Sequence, residues 1–391
     1  MMKVAPRCLT LVMCVMAANA VAEIGGVVSV EKIARLTGPE GSDSINPTWE
    51  VGIGGADLGH MITHKGRTYF VFGDSFSSDL SHRGKPGTGE GWRWNSIAYT
   101  TDSRPRDGIT FDGWITDAKG RAREIVRDTR NNPITNIPTG GISVGDKIIV
   151  WYMAMKFWGD ASDPCWQSHF AGLAWSDDGK TFHIQDDFRF AGTSNFGMVA
   201  AAKGDDDPKL HDGYIYIWGT PSNRCGGVKL ARVQPDEITS CSAYRYYGGL
   251  REGRPTWVET ELDAPLIVPP PAGEMSVMYN AWADVWMMMY FKFREEPIRI
   301  GSIGDIVLRQ APKPWGPWSE PLTVVTAEDY PALYGSYMNP RYVENNGESV
   351  YFTMSLWNLY DVYWMKATFT KNMPASTPIY TPVSDHEPNR D

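Results

Sequence analysis

Polar, glycine-rich stretches alternate along this chain with short runs in which nearly every residue is apolar. Long amphipathic helical stretches are scarce, so the runs read as strands. Five segments share one order: a Gly-rich or polar lead, a short strand, a turn, then a strongly apolar strand. They are Gly54–Phe76, Ile137–Met155, Asn195–Pro221, Gly273–Phe293 and Tyr337–Trp357. The apolar strands recur roughly every 60–80 residues. A hairpin alone cannot bury both faces, and further strands fit between the copies. Candidates are Ser96–Asp102, Ala171–Phe182, Gly226–Val233 and Gly304–Pro312, the second ending in "WSDDGKTF", which resembles an Asp-box turn. Four-stranded sheets repeated around an axis make an all-β, five-bladed β-propeller. A β-sandwich with similar hairpins is the competing arrangement. Ile24–Trp49 is expected to supply the strand that closes the ring with blade five.

The first hairpin, "GGADLGHMITHKGRTYFVFGDSF", turns between Lys65 and Gly66. Counting outward pairs Thr63 with Thr68, Met61 with Phe70, Gly59 with Phe72, and Asp57 with Asp74. Directly opposed residues in an antiparallel ladder share a face, with Cβ atoms about 4.5–5.5 Å apart. Two acids so placed repel, unless one caps a turn or each finds an Arg. If the first strand of each hairpin lines the axis, the leading residues are Asp57, Thr139, Asn195, Glu274 and Asn339. Asp57 and Glu274 would then converge across the channel. The ends of the second strands add Asp74, Thr220 and "SLWNLY", with Trp357 and Tyr360. The loop after the first hairpin, "GWRWNS", brings Trp92, Arg93 and Asn95. Acids, amides, an Arg and aromatic platforms together suit a sugar-binding cleft. Glycosidic hydrolysis needs one protonated acid at the leaving oxygen and one carboxylate on the opposite face, and nearby like charges keep one acid protonated.

The first residues, "MMKVAPRCLTLVMCVMAANAVAE", fit an export signal: Lys3 and Arg7, a short apolar core, then Ala20 and Ala22 before a cut near Glu23. The chain is thus expected to be secreted or periplasmic, without a membrane span after signal removal. Residues 23–375 would form the propeller, and the Pro-rich residues 376–391 a polar tail. Loss of the leader moves the net charge from −9 to −11, which disfavours nucleic acid as partner and leaves a neutral polymer favourable. Of the five cysteines, Cys165, Cys225 and Cys241 remain, and Cys225–Cys241 is the favoured disulfide. No zinc spacing is present, and the scattered histidines, His60 and His64 included, read as solvated. The acidic run Asp205–Asp207 reads as a charged loop rather than a Ca²⁺ site. No metal or cofactor is expected, and the protein is expected to be a monomer.

"GGADLGHMI", "YFVFGDSF", "WRWNSIAYTTDSRPRDGITF", "IPTGGISVGDKI", "WGTPSNRCGGVKLARV", "GEMSVMYN", "RQAPKPWGPWSEP" and "MNPRY" followed by "YFTMSLWNLYDVYWM" occur in order over Gly54–Met365. In these motifs the chain resembles a bacterial family long catalogued as a domain of unknown function and associated with endo-D-arabinanases, glycoside hydrolase family 183. The resemblance implies a five-bladed propeller that cleaves α-linked D-arabinofuranosyl chains, such as arabinogalactan and lipoarabinomannan, with inversion. It implies catalytic roles for Asp57 and Asp74, with Glu274 a further acid or sugar ligand. Arg224, Tyr279 and Asn280, which lie within the motifs, join the substrate-binding candidates. Ala56 stands where the family commonly has Thr. A carbohydrate-binding propeller without catalysis, and a hydrolase of another glycan, are the alternatives.

Overall fold

The computed structural model describes residues 23–77, 91–299 and 301–372. The expected leader (residues 1–22) and tail (residues 376–391) lie outside them. The described residues form five small antiparallel sheets, the blades of a β-propeller. Blade one comprises Gly55–His64, Arg67–Phe76, Ser96–Thr100 and Gly113–Trp114. Blade two comprises Asn136–Val144, Lys147–Phe157 and Gln167–Ser176, with His183–Ile184 and Phe190–Ala191 both pairing with the third strand. In blade three, Met198–Lys203, Ile215–Thr220 and Lys229–Val233 are followed by the outer hairpin Arg245–Arg251 and Arg254–Val258. Blade four holds Met275–Asn280, Val285–Phe293, Gly304–Ala311 and Leu322–Val325. Blade five runs outward through Leu333–Glu344, Ser349–Leu356 and Asp361–Lys371 to the N-terminal strand Ile24–Arg35.

The near-continuous apolar runs follow from this geometry. A blade is covered on both faces, so successive side chains, which point to opposite faces, must all be apolar. In Val285–Phe293, Trp286, Met288 and Tyr290 pack with Trp218 and Tyr216 of blade three. Met287, Met289 and Phe291 pack on the other side with Tyr334, Phe352 and Met354 of blade five. Five apolar clusters alternate with the five blades in this way. The one between blades five and one, holding Tyr342, Tyr351 and Trp364 against Phe70 and Phe72, completes the ring. As expected from the sequence, the N-terminal strand pairs antiparallel with Asp361–Lys371, and Arg35 Nη1 lies 3.2 Å from Asp361 Oδ2.

In the Asp-box-like turn, Asp178 accepts the Lys180 and Thr181 N–H groups at 2.7 Å each, which holds its carboxyl down at about 2. The disulfide differs from the sequence expectation. Cys165 bonds Cys225, joining loops of blades two and three, and Cys241 is a free thiol beside the Arg189 carbonyl. Spacing along the chain says nothing about which loops adjacent blades bring together. His60 and His64 are likewise buried, not solvated.

Candidate active site

In blade one the counted register holds for Thr63–Thr68 and Met61–Phe70, then breaks. Leu58, not Gly59, faces Phe72, and Ala56 faces Ser75. Gly59 is an extra residue on the first strand, and an extra residue on the second strand opposite Asp57 cancels the shift. Asp57 and Asp74 are therefore not a ladder pair but neighbours at two compensating bulges, a device that re-aims side chains. Leu58 (φ 66°) and Gly59 (φ 91°) carry the distortion. Gly73 is required by proximity, because a Cβ there would sit 2.4 Å from Asp57 Oδ1.

Both carboxyls are buried. Asp57 Oδ2 accepts the Tyr334 hydroxyl at 2.7 Å, and Oδ1 has no partner. Burial, reinforced by the negative charge of Glu274, pushes Asp57 up to about 7; the Tyr334 hydrogen bond and the Arg224 charge oppose the rise. Asp74 Oδ1 accepts from Thr135 Oγ1 (2.9 Å) and Trp92 Nε1 (3.1 Å). Burial first, then the charge of Asp57, lift Asp74 well above the usual carboxylate range despite those two bonds. Glu274 is fixed differently: Arg224 Nε reaches both of its oxygens, at 2.8 and 2.9 Å. The Arg224 guanidinium also lies 4.1 Å from the Trp166 ring centre and 5.0 Å from that of Tyr334. Since Arg224 precedes Cys225 and Trp166 follows Cys165, the disulfide clamps this stacked pair in place. Ala56 packs into the apolar cluster with Phe70 and Phe72, so its methyl faces away from the carboxyls.

These groups open onto a cavity of about 510 Å³, a size typical of small-ligand sites. Of the sequence candidates, Asp57, Asp74, Glu274, Arg224, Trp357 and Tyr360 line it. Trp92 reaches it indirectly, by holding Asp74. Arg93 and Asn95 are loop staples instead: Arg93 donates to the Gly52, Gly91 and Ala122 carbonyls, and Asn95 bonds the Val126 and Asn136 carbonyls. Thr220 donates to the Ala272 carbonyl beneath Glu274, and Thr139 is buried at a bulge with no partner for its hydroxyl. Tyr279 and Asn280 end their strand on the other side of the ring, bonded to Asp284 and the Gly347 carbonyl. Asn339 also lies away from the cleft, bonded to Thr63 and the Met61 carbonyl. The inner strand of blade five begins at Leu333, so Tyr334, not Asn339, occupies its leading position. Tyr334, Thr135 and Trp166 are the residues that the sequence reading missed. An aromatic at the start of an apolar strand looks like core, and only the blade's true start would have singled out Tyr334.

A five-bladed propeller with buried, mutually repelling carboxyls at one end of its axis is the class of protein that fold and site define. The chain belongs to the family described as a domain of unknown function, DUF4185, which it matches over residues 43–366. It is similar to the notoamide biosynthesis cluster protein J of Aspergillus sp. (strain MF297-2), at 27% identity over 358 residues, covering 86% of this chain and 85% of that one. Among solved structures it is similar to a Bacteroides ovatus ATCC 8483 protein (TM-score 0.55, 15% identity, 81% of this chain and 86% of that chain). It is also similar to the exo-β-1,3-galactanase of Phanerochaete chrysosporium (TM-score 0.50, 9% identity, 86% and 63%). At such identities the likeness shows the shared fold. Among the described residues no group of three or more His, Cys, Asp or Glu is arranged to hold a metal, and no helix is long and apolar enough to cross a membrane.

Proposed function

We propose that the protein is an exported glycoside hydrolase, endo-acting on α-D-arabinofuranosyl polymers by an inverting acid–base mechanism. The observation that carries the reading is the buried Asp57/Asp74 couple: burial raises both carboxyls, and the charge of Asp57 raises Asp74 further. The polymer assignment rests on the motif resemblance over Gly54–Met365, and a galactanase name among proteins of this fold accords with glycan chemistry. Asp74, lifted well above the usual carboxylate range by burial and the charge of Asp57, holds the proton and is the general acid. Both of its hydrogen bonds fall on Oδ1, which leaves Oδ2 to carry the proton to the leaving oxygen. Asp57, whose charge is favoured by the Tyr334 hydroxyl and by Arg224, is the base that takes a proton from the attacking water. Glu274, neutralised by Arg224, is a sugar ligand or a charge that tunes Asp57.

The test is hydrolysis of mycobacterial D-arabinan by wild type, Asp57→Asn and Asp74→Asn. Each substitution is expected to lower kcat/KM by at least about 10²-fold. In wild type, kcat/KM should rise as pH increases through about 7, where Asp57 ionises, and fall at higher pH as Asp74 loses its proton. Full activity in both variants would remove the assignment. Binding without product release would make this a carbohydrate-binding propeller, and release from another polysaccharide only would redirect the substrate.

A further inference from the structure

All five blades contribute to the lining of the cavity, and both Asp57 and Asp74 enter it from blade one. Blade one has blade five on one side, across the cluster of Phe70, Phe72 and Trp364. Blade two lies on its other side, across the cluster of Ile62, Val71, Ile148 and Val150. The two carboxyls are tethered in these opposite directions. Asp57 takes its hydrogen bond from Tyr334 of blade five at 2.7 Å. Asp74 takes one from Thr135, at the entry to blade two, at 2.9 Å. The base is thus drawn towards blade five and the acid towards blade two.

Each side also presents an aromatic ring to the cavity. On blade five it is Trp357, 57% exposed. Its loop is fixed at both ends: the Trp357 N–H donates to the Ala332 carbonyl at 3.0 Å, and the Tyr360 carbonyl accepts the Ala56 N–H at 2.8 Å, next to Asp57. An indole held open to water at the mouth of a polar cavity is a platform for a sugar ring. On the other side Trp158, just after the strand Lys147–Phe157, meets Trp166 edge to face at 5.0 Å. Donors without partners among the described residues accompany it. They are Trp158 Nε1 and Asn223 Nδ2, the Asn223 Oδ1 being taken by the Cys225 N–H at 2.9 Å. The Arg299 guanidinium, from the loop that crosses blade four, adds another. Sugar oxygens accept from such groups.

In an inverting cleavage the acid stands at the leaving oxygen and the base on the opposite face of the sugar. The leaving oxygen belongs to the sugar on the reducing side of the bond, so that part of the glycan departs towards the acid. We propose that the glycan crosses the cleft with one polarity, its non-reducing part on Trp357 of blade five and its reducing part on Trp158 and Asn223 of blades two and three. The proposal rests on the glycosidase reading, with Asp74 as acid and Asp57 as base. Water adds its oxygen to the anomeric carbon and gives a proton to Asp57. The bond from that carbon to the glycosidic oxygen breaks, and the proton of Asp74 leaves on the reducing-side fragment. Sugars held on both sides of the broken bond are what endo-cleavage requires.

The experiment digests a linear α-D-arabinofuranosyl octasaccharide, labelled with a fluorophore at its reducing end, and measures the lengths of the labelled fragments. Loss of a platform penalises the binding modes that use it, so the cut moves away from that side. Trp357→Ala should shift cleavage towards the non-reducing end and raise the ratio of longer to shorter labelled fragments by at least about threefold. Trp158→Ala should shift it towards the reducing end and lower the ratio, and Trp158→Phe, which keeps a ring, should stay close to wild type. Trp357 is exposed enough for its variant to fold, and the sign of its shift decides the polarity by itself. Shifts of reversed sign, or of the same sign in both alanine variants, would overturn the polarity while the glycosidase reading stands. An unchanged pattern in Trp357→Ala would overturn it as well. No fragments from wild type would remove the glycosidase reading, and the polarity with it.

Discussion

Asp57 holds a carboxyl in a place that gives its charge one hydroxyl donor and leaves one oxygen without a partner. Its cost to the fold has a definite sign. In the unfolded chain the group titrates near its ordinary 3.8, and in the folded protein near about 7. The folded state therefore binds the proton more tightly. The resulting stabilisation is complete below pH 4 and is lost as pH rises through 7. Asn keeps the shape and carries no charge, so Asp57→Asn is expected to stabilise the protein by roughly 2–4 kcal/mol at pH 8 and by little at pH 4. Urea unfolding at the two pH values measures this, and an equal effect at both would contradict the buried-charge account. A gain in stability at neutral pH alongside a loss of turnover would mark the residue as kept for chemistry.

At the scale of strands and loops, legibility in the sequence tracked burial. Segments such as "VWMMMYF" announced strands because a blade covered on both faces requires an apolar residue at every position. The hairpin register was readable from the turn to Met61, where each strand advances one residue per step. It failed at Leu58, since a non-glycine residue at positive φ gives no signal in composition, and two bulges that cancel leave the count of residues unchanged. Asp57 and Asp74 were thus legible as neighbours and illegible as bulge residues. The loops were opaque for another reason: Cys165 and Cys225 are 60 residues apart, and only blade packing makes them adjacent. Closing a loop of that length constrains the unfolded chain by about 4 kcal/mol in the chain-entropy account. The bond also seats Arg224 against Trp166 and Glu274. Cys165→Ser with Cys225→Ser is expected to lower stability by about 2–4 kcal/mol. It should lower kcat/KM more than Cys241→Ser, which touches neither loop; matching kinetics in the two variants would show that the clamp has no part in the site.

A propeller is held together by its closure, because each blade buries its faces only while both neighbours stand. Here the seam lies inside blade five, where Ile24–Arg35 from the chain's beginning pairs with Asp361–Lys371 near its end. Along that seam Arg35 meets the buried Asp361, and Ala34 and Leu36 enter the cluster that joins blades five and one. The same blade supports the site: Ser355 Oγ accepts the Leu58 N–H at 2.8 Å, beside Asp57, and Tyr334 donates to Asp57 itself. Removing the strand would expose the edge of Asp361–Lys371, break the Arg35–Asp361 pair and uncover the apolar residues that Ile24–Arg35 covers. A chain beginning at Leu36 is therefore expected to melt at least about 10 °C below one beginning at Glu23. Its near-ultraviolet circular dichroism should lose the signal of packed tryptophans over the same range, since Trp364 lies in the cluster at the seam. Melting temperatures within about 2 °C of each other would mean that three strands suffice for blade five. The 12-residue N-terminal strand would then be a cover on the ring, not its closure.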